Sequence, residues 1–237
     1  MTDLDDEIHR LSAGLSRALD ADALGVYLHG SAVLGGWVAG ASDLDVLVVL
    51  TGESSDLDAL SDACRRVSST VELSAITQDA AARPSAPWPF VGHVTTRPDK
   101  CLTDSGAGDP DLLMHIAVTR EHGRALIGPH PRRVFSEVPP ADIAAYLRTE
   151  LQWGLDHADE AYAVLNACRA LCWCRTGRLV SKIDGGIWAM RELPGRSSLI
   201  GRALADQRAG VCRAPVHEDA RGLVGLVRAE LGAAGDA

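Results

Sequence analysis

The sequence predicts an α+β chain: a small mixed sheet-and-helix domain followed by an all-α helical bundle. Three observations carry this reading. Residues Leu44 to Leu50 are almost wholly apolar and β-branched, the pattern of a strand buried on both faces. Val71, Leu73 and Ala75 alternate through residues 70–77, the pattern of a second strand. Beyond Val138-Pro139-Pro140 no strand pattern recurs, and only helical periods follow. The expected domains are residues 1–137 and 138–237, and a ligand cleft between two such domains is the default expectation.

Each element has a local reason. Leu4, Ile8, Leu11, Leu15 and Leu19 recur at helical spacing, so residues 3–20 read as an amphipathic helix. The short apolar run Gly25 to His29 reads as a strand. Gly30-Ser31 then opens a short helix ending near Gly35-Gly36. After the Leu44–Leu50 strand, residues 55–68 have a helical period, and residues 70–77 return to a strand. Residues 83–110 are rich in Pro, Gly and Thr and read as loop, with one edge strand near Val91 to Thr95. A helix is expected from Asp109-Pro110, with Asp109 as N-cap and Pro110 at its first position, ending at Gly123. Four or five helical segments are expected downstream, at about 141–156, 159–175, 181–192, 197–209 and 216–232.

Composition narrows the function. The chain has 237 residues, enough for one large or two modest cores. Its 32 acidic residues outnumber 23 basic ones, giving a net charge of −9. That balance, with no basic stripe, argues against a nucleic-acid binder and suits a cationic small molecule. The start Met-Thr-Asp-Leu-Asp-Asp-Glu lacks a secretory pattern, and no apolar run reaches the ~20 residues of a membrane span. A cytoplasmic protein is expected. Three of the six cysteines cluster as Cys168-x3-Cys172-x-Cys174, which reads as helix packing rather than a metal site.

The chemistry lies in Gly30-Ser31 followed by Ser42-Asp43-Leu44-Asp45. Backbone amides at the turn after a strand, with a serine hydroxyl, can hold a phosphate. Gly30 removes the Cβ that would block close approach. Asp43 and Asp45 are two residues apart entering a strand, so both point to one face while Leu44 points into the core. Adjacent carboxylates repel unless a cation lies between them, and Mg2+ prefers few carboxylates plus phosphate oxygens. A lone Asp-x-Asp is usually a solvated turn; the upstream Gly-Ser and the apolar strand behind it argue otherwise. Glu72, on the next strand, can sit beside the pair. There it could bind metal or take a proton from an attacking hydroxyl.

These residues carry a family resemblance. Gly30-Ser31 with Asp43-x-Asp45 resembles the signature of the polymerase-β-like nucleotidyltransferases. Within that superfamily the match is to the streptomycin/spectinomycin adenylyltransferases. It runs through Leu28-His29-Gly30-Ser31-Ala32-Val33-Leu34-Gly35-Gly36 and Ser42-Asp43-Leu44-Asp45-Val46-Leu47-Val48. Arg120 to Pro129 looks like the branch's linker segment. Thr176-Gly177-Arg178, Ser181-Lys182 and Trp188-Ala189-Met190 resemble a motif of its helical domain. The resemblance covers about residues 25–192.

The resemblance implies an N-terminal nucleotidyltransferase domain that moves AMP from ATP onto a hydroxyl of an aminoglycoside-type antibiotic. It implies that Gly30, Ser31, Ser42, Asp43 and Asp45 bind ATP phosphates and Mg2+. Glu72 would be the catalytic base, Asp111 an acidic residue before the interdomain helix, and Lys182 a triphosphate ligand. Arg169 also matches. For the antibiotic the branch uses a tryptophan and acids early in the helical domain, here Trp153, Asp156 and Asp159. Carboxylates and an indole face suit ammonium or guanidinium groups.

Three positions depart from the branch pattern. Trp153 and Asp156 stand closer together, Gly92-His93 replaces an acidic-aromatic pair, and Arg208 falls near an expected tyrosine. The partner expected is a small cationic antibiotic, with no nucleic acid and no membrane, and the chain is expected to be a monomer. Two other readings stay open: a same-fold transferase acting on a protein or another small molecule, and a non-enzymatic nucleotide-binding regulator. Intact Asp43, Asp45 and Glu72 argue against the regulator.

Overall fold

A computed structural model describes residues 4–19, 22–40, 42–53, 55–213 and 216–235. The chain divides into two compact units, Met1–Val138 and Pro139–Ala237.

The first unit is a six-stranded sheet with helices on both faces. Its strands are β1 (Ala23–His29), β2 (Leu44–Leu50), β3 (Val71–Thr77), β4 (Gly92–Thr96), β5 (Asp99–Leu102) and β6 (Arg124–Ile127). Their spatial order is β5-β4-β3-β2-β1-β6, with β2 and β3 parallel and the other pairs antiparallel. The helices are α1 (Leu4–Leu19), α2 (Leu57–Cys64), α3 (Gln78–Ala82) and α4 (Leu112–His122). Residues 3 and 20 of the expected first helix lie outside the described residues.

Strand alternation sorts the core. Val26, Leu28, Val46, Val48, Leu73 and Ala75 pack with Ile8, Leu11, Leu15 and Leu60 under α1 and α2. Tyr27 faces the other way, with its ring edge against Phe135 at 5.0 Å between centroids. Because both faces are covered, Val46 to Leu50 are fully buried and read as a continuous apolar run. Glu7 is buried among these helices and accepts the Ser68 and Ser69 N–H groups, each at 2.9 Å.

Several expected boundaries differ. α4 begins at Leu112, not at Pro110. The Asp109 carboxylate accepts the Asp111 N–H at 3.0 Å and its carbonyl accepts from Leu112. Asp109 therefore closes a turn ahead of the helix instead of capping it. β5 and β6 were not expected. Each has four residues, too few to show a period, and β6 falls within the segment read as a linker. The helix after Gly30 is a single 3-10 turn, Gly30–Ala32.

In the second unit the described residues form helices and no strand: α5 (Pro140–His157), α6 (Glu160–Thr176), α7 (Lys182–Glu192), α8 (Ser197–Ala209) and α9 (Glu218–Gly235). The helix α6 is central and packs against the other four. Its buried face is built of small side chains and leucines, among them Ala163, Ala167, Cys168, Leu171 and Cys172. Gly185 lets α7 approach closely, since a Cβ there would lie 2.8 Å from the Arg169 Cα. Arg175 grips Glu230 with two hydrogen bonds, 2.9 and 2.7 Å, and ties α6 to α9.

Candidate active site

The sheet brings the expected acidic residues to one end of its two parallel strands. Asp45 is the second residue of β2 and Glu72 the second of β3, and the two are direct partners in register. On the other side of Asp45 its partner is His29, the last residue of β1. Gly30 follows at once with φ +62°, a conformation that favours glycine. A Cβ on Gly30 would collide with the Asp45 carboxylate, so this space exists only because residue 30 has no side chain. Asp43 is exposed just before β2, and Leu44 is buried in the core as expected. The Ser42 hydroxyl accepts the Val38 N–H at 3.0 Å and closes the loop that delivers Asp43.

The electrostatics of this end are acidic. Burial pushes the Glu72 carboxyl above the ordinary range; His115 opposes the rise, and Asp43, Asp111 and Asp109 add to it. Asp111 therefore belongs to the same electrostatic cluster, although it lies on the turn into α4. Below the cluster, the His29 and His115 rings meet at 4.8 Å between centroids. Burial, and then His115, drive the His29 pKa well below its ordinary value. The histidines escaped the sequence reading. The spacing of Asp111 and His115, four residues apart at the start of α4, was the available signal.

Mg2+ is implied by the superfamily, and the donor chemistry fits it. Asp45 and Glu72 are in register, Asp43 adjoins them, and the groups repel one another without a cation. Among the described residues no three His, Cys, Asp or Glu side chains converge closely enough to hold an ion alone. Mg2+ typically takes one or two carboxylates and completes its shell with phosphate oxygens and water. The site therefore suits an ion that arrives with a triphosphate.

The second unit gathers most of the other expected residues around Tyr162. Lys182 Nζ lies over the Tyr162 ring at 4.0 Å from its centroid. The Trp153 ring meets Tyr162 edge-on at 5.9 Å and stacks on His157 at 5.3 Å. Asp159 caps α6 by accepting the Tyr162 N–H at 2.8 Å. The Tyr162 hydroxyl donates to Glu150 at 2.5 Å. Asp156 is apart from this group, held by Gln152 at 2.9 Å on exposed α5 surface. Trp153 is 47 % exposed, so its indole is available rather than packed away. Tyr162 and Glu150 were missed by sequence, because a tyrosine and a glutamate on amphipathic helices carry no spacing signal.

A Gly-Ser turn facing in-register carboxylates on parallel strands of a mixed sheet, followed by a helical bundle, defines a polymerase-β-like nucleotidyltransferase. Comparison with known proteins narrows this class. Residues 133–228 match the family model "Aminoglycoside adenylyltransferase, C-terminal domain". The chain is 30 % identical over 203 residues to an aminoglycoside (3'') (9) adenylyltransferase of Klebsiella pneumoniae, covering 76 % of each chain. It is 26 % identical over 188 residues to a spectinomycin 9-adenylyltransferase of Staphylococcus aureus, covering 72 % of each. In fold it matches the crystal structure of spectinomycin adenyltransferase AAD(9) from Enterococcus faecialis with ATP and spectinomycin. That match has a TM-score of 0.70 at 18 % identity and covers 97 % of this chain and 100 % of that one. The chain belongs to the aminoglycoside adenylyltransferase family.

Proposed function

We propose that this protein transfers AMP from ATP to a hydroxyl of spectinomycin, streptomycin or both, and so confers resistance. The observation that carries the proposal is the in-register Asp45–Glu72 pair beside the Gly30 turn, where the missing side chain makes room for the Asp45 carboxylate. In the mechanism the antibiotic hydroxyl attacks the α-phosphorus of ATP and pyrophosphate leaves. Glu72 takes the hydroxyl proton on its carboxylate; a carboxyl whose pKa is raised by its surroundings is a better base than an ordinary one. Asp43 and Asp45 would hold Mg2+, with Glu72 adjoining, and the ion would supply charge compensation at the phosphates. Ser31, Ser42 and the turn at Gly30 hold phosphate oxygens. Asp111 adds negative charge that favours the metal-bound state.

In this reading the first unit is the nucleotidyltransferase domain and the second the substrate-binding domain. Lys182 supplies positive charge to the triphosphate. Trp153, Asp156 and Asp159 receive the cationic antibiotic, the indole by its face and the carboxylates by charge. The protein works as a cytoplasmic monomer on a small molecule, with no nucleic acid or membrane partner; among the described residues no helix is long and apolar enough to cross a membrane. The test is pyrophosphate release from Mg-ATP with each antibiotic added in turn. Release that depends on an antibiotic supports the reading. Equal release with and without both drugs overturns it.

A further inference from the structure

Two side chains, Ser74 on β3 and His93 on β4, meet beside the candidate base. Ser74 is buried on β3, on the same face as Glu72, and its partner in register on β4 is His93. The Ser74 hydroxyl and His93 Nδ1 are 3.0 Å apart. The other ring nitrogen, Nε2, faces Glu72 Oε1 at 3.8 Å. The His93 ring is thus held at one end by a buried hydroxyl and presents its other end to the carboxylate.

The electrostatics select one tautomer. In the neutral imidazole one ring nitrogen carries the proton and the other accepts. A lone pair on Nε2 would face the lone pairs of Glu72. A proton on Nε2 faces them favourably and leaves Nδ1 to accept from the Ser74 hydroxyl, which can donate by rotating. A separation of 3.8 Å is too long for a hydrogen bond. Such contacts in ligand-free enzymes are often long and tighten when substrate binds.

We propose that His93, with its tautomer set by Ser74, is a positioning residue that orients the Glu72 carboxylate toward the substrate hydroxyl. Nε2–H engages Oε1, which leaves Oε2 to accept the proton. The inference rests on the reading of Glu72 as the base.

The tautomer can be read without turnover. In 15N-histidine-labelled protein, the His93 Nδ1 signal is expected in the acceptor range and Nε2 in the N–H range. Ser74→Ala should mix the two forms. A wild-type ring protonated on Nδ1 overturns the proposal. Kinetics supply the second test, with folding of each variant checked by its thermal midpoint. His93→Gln places an amide N–H near the Nε2 position, whereas His93→Asn places one near Nδ1. Asn and Ala should lower kcat about 10-fold, as loss of an orienting partner commonly does, with the KM for ATP unchanged. Gln should recover most of that loss. Equal kcat in all three variants, or a loss confined to KM, overturns the positioning role. If Glu72→Gln is itself fully active, the base reading fails first and the proposal with it. If Glu72→Gln is inactive while His93→Ala matches wild type, only the positioning role fails.

Discussion

Gly30 and Asp45 compete for the same space: a side chain at residue 30 would occupy the position of the Asp45 carboxylate. The positive φ of Gly30 and the in-register pairing of His29 with Asp45 hold that geometry from both sides. The turn and the carboxylate thus form one unit rather than two separate motifs.

Gly30→Ala should therefore damage activity far more than stability. The left-handed conformation costs an alanine about 1–2 kcal/mol. For a chain of this size that lowers the thermal midpoint by about 2–4 °C per kcal/mol. The displaced Asp45 carboxylate should reduce kcat by about 100-fold or more, because misplacement near 1 Å costs that much. A melt and steady-state kinetics on the same preparation check both. An active Gly30→Ala protein would show that the turn can move without disturbing Asp45.

Glu72→Gln should bind Mg-ATP but slow transfer by about 10²- to 10⁴-fold, the usual cost of losing a general base. Its effect on stability should have the opposite sign. The Glu72 carboxyl is raised in the fold, so its favourable contribution is complete below the unfolded value and is lost as pH rises through the folded value. At neutral pH and without metal, the charged carboxylate is a burden, lessened by its 39 % exposure. The Gln variant should then melt no lower than wild type at pH 7, and the difference should vanish near pH 4. A clearly lower melting point at pH 7 would mean that Glu72 stabilises the fold.

Glu7 provides the contrast. Burial opposes its charge, but hydrogen bonds from Ser69 and Ser68 outweigh it and hold the pKa below the ordinary value. Its contribution is therefore present above the unfolded pKa and is lost as pH falls through the lowered folded value. Glu7→Gln should cost about 1–2 kcal/mol at pH 7, as expected for weakening hydrogen bonds to a charged acceptor. That cost should shrink in acid below about pH 4. Urea melts at pH 7 and pH 3.5 measure both, and an equal loss at the two would exclude the ionised form as the cause.

The sheet core and the helical bundle were legible because Leu44–Leu50 and the α5–α9 segments have strong periods and enough residues to display them. Asp45 and Glu72 stood out because their charges interrupt apolar strands, and Asp43 because it stands two residues before Asp45 at the entry to β2. The four-residue strands β5 and β6 were not, since pairing rather than local pattern makes them strands. Asp109 misled because an aspartate before proline can cap a helix or close a turn, and only the fold decides which. His93 and His115 lie on separate elements, and only the fold brings both to Glu72. Tyr162 shows the same limit, since its value comes from Lys182, Trp153 and Glu150 meeting around it.

The most direct test of the central claim is mass spectrometry of spectinomycin and streptomycin after incubation with the protein, ATP and Mg2+. At least one drug is expected to gain a single adenylyl group, with none gained when Mg2+ is chelated or when Asp45→Asn replaces wild type. If both drugs are unmodified by the wild-type protein, or if Asp45→Asn modifies one at the wild-type rate, the assignment of this carboxylate site to antibiotic adenylylation is contradicted.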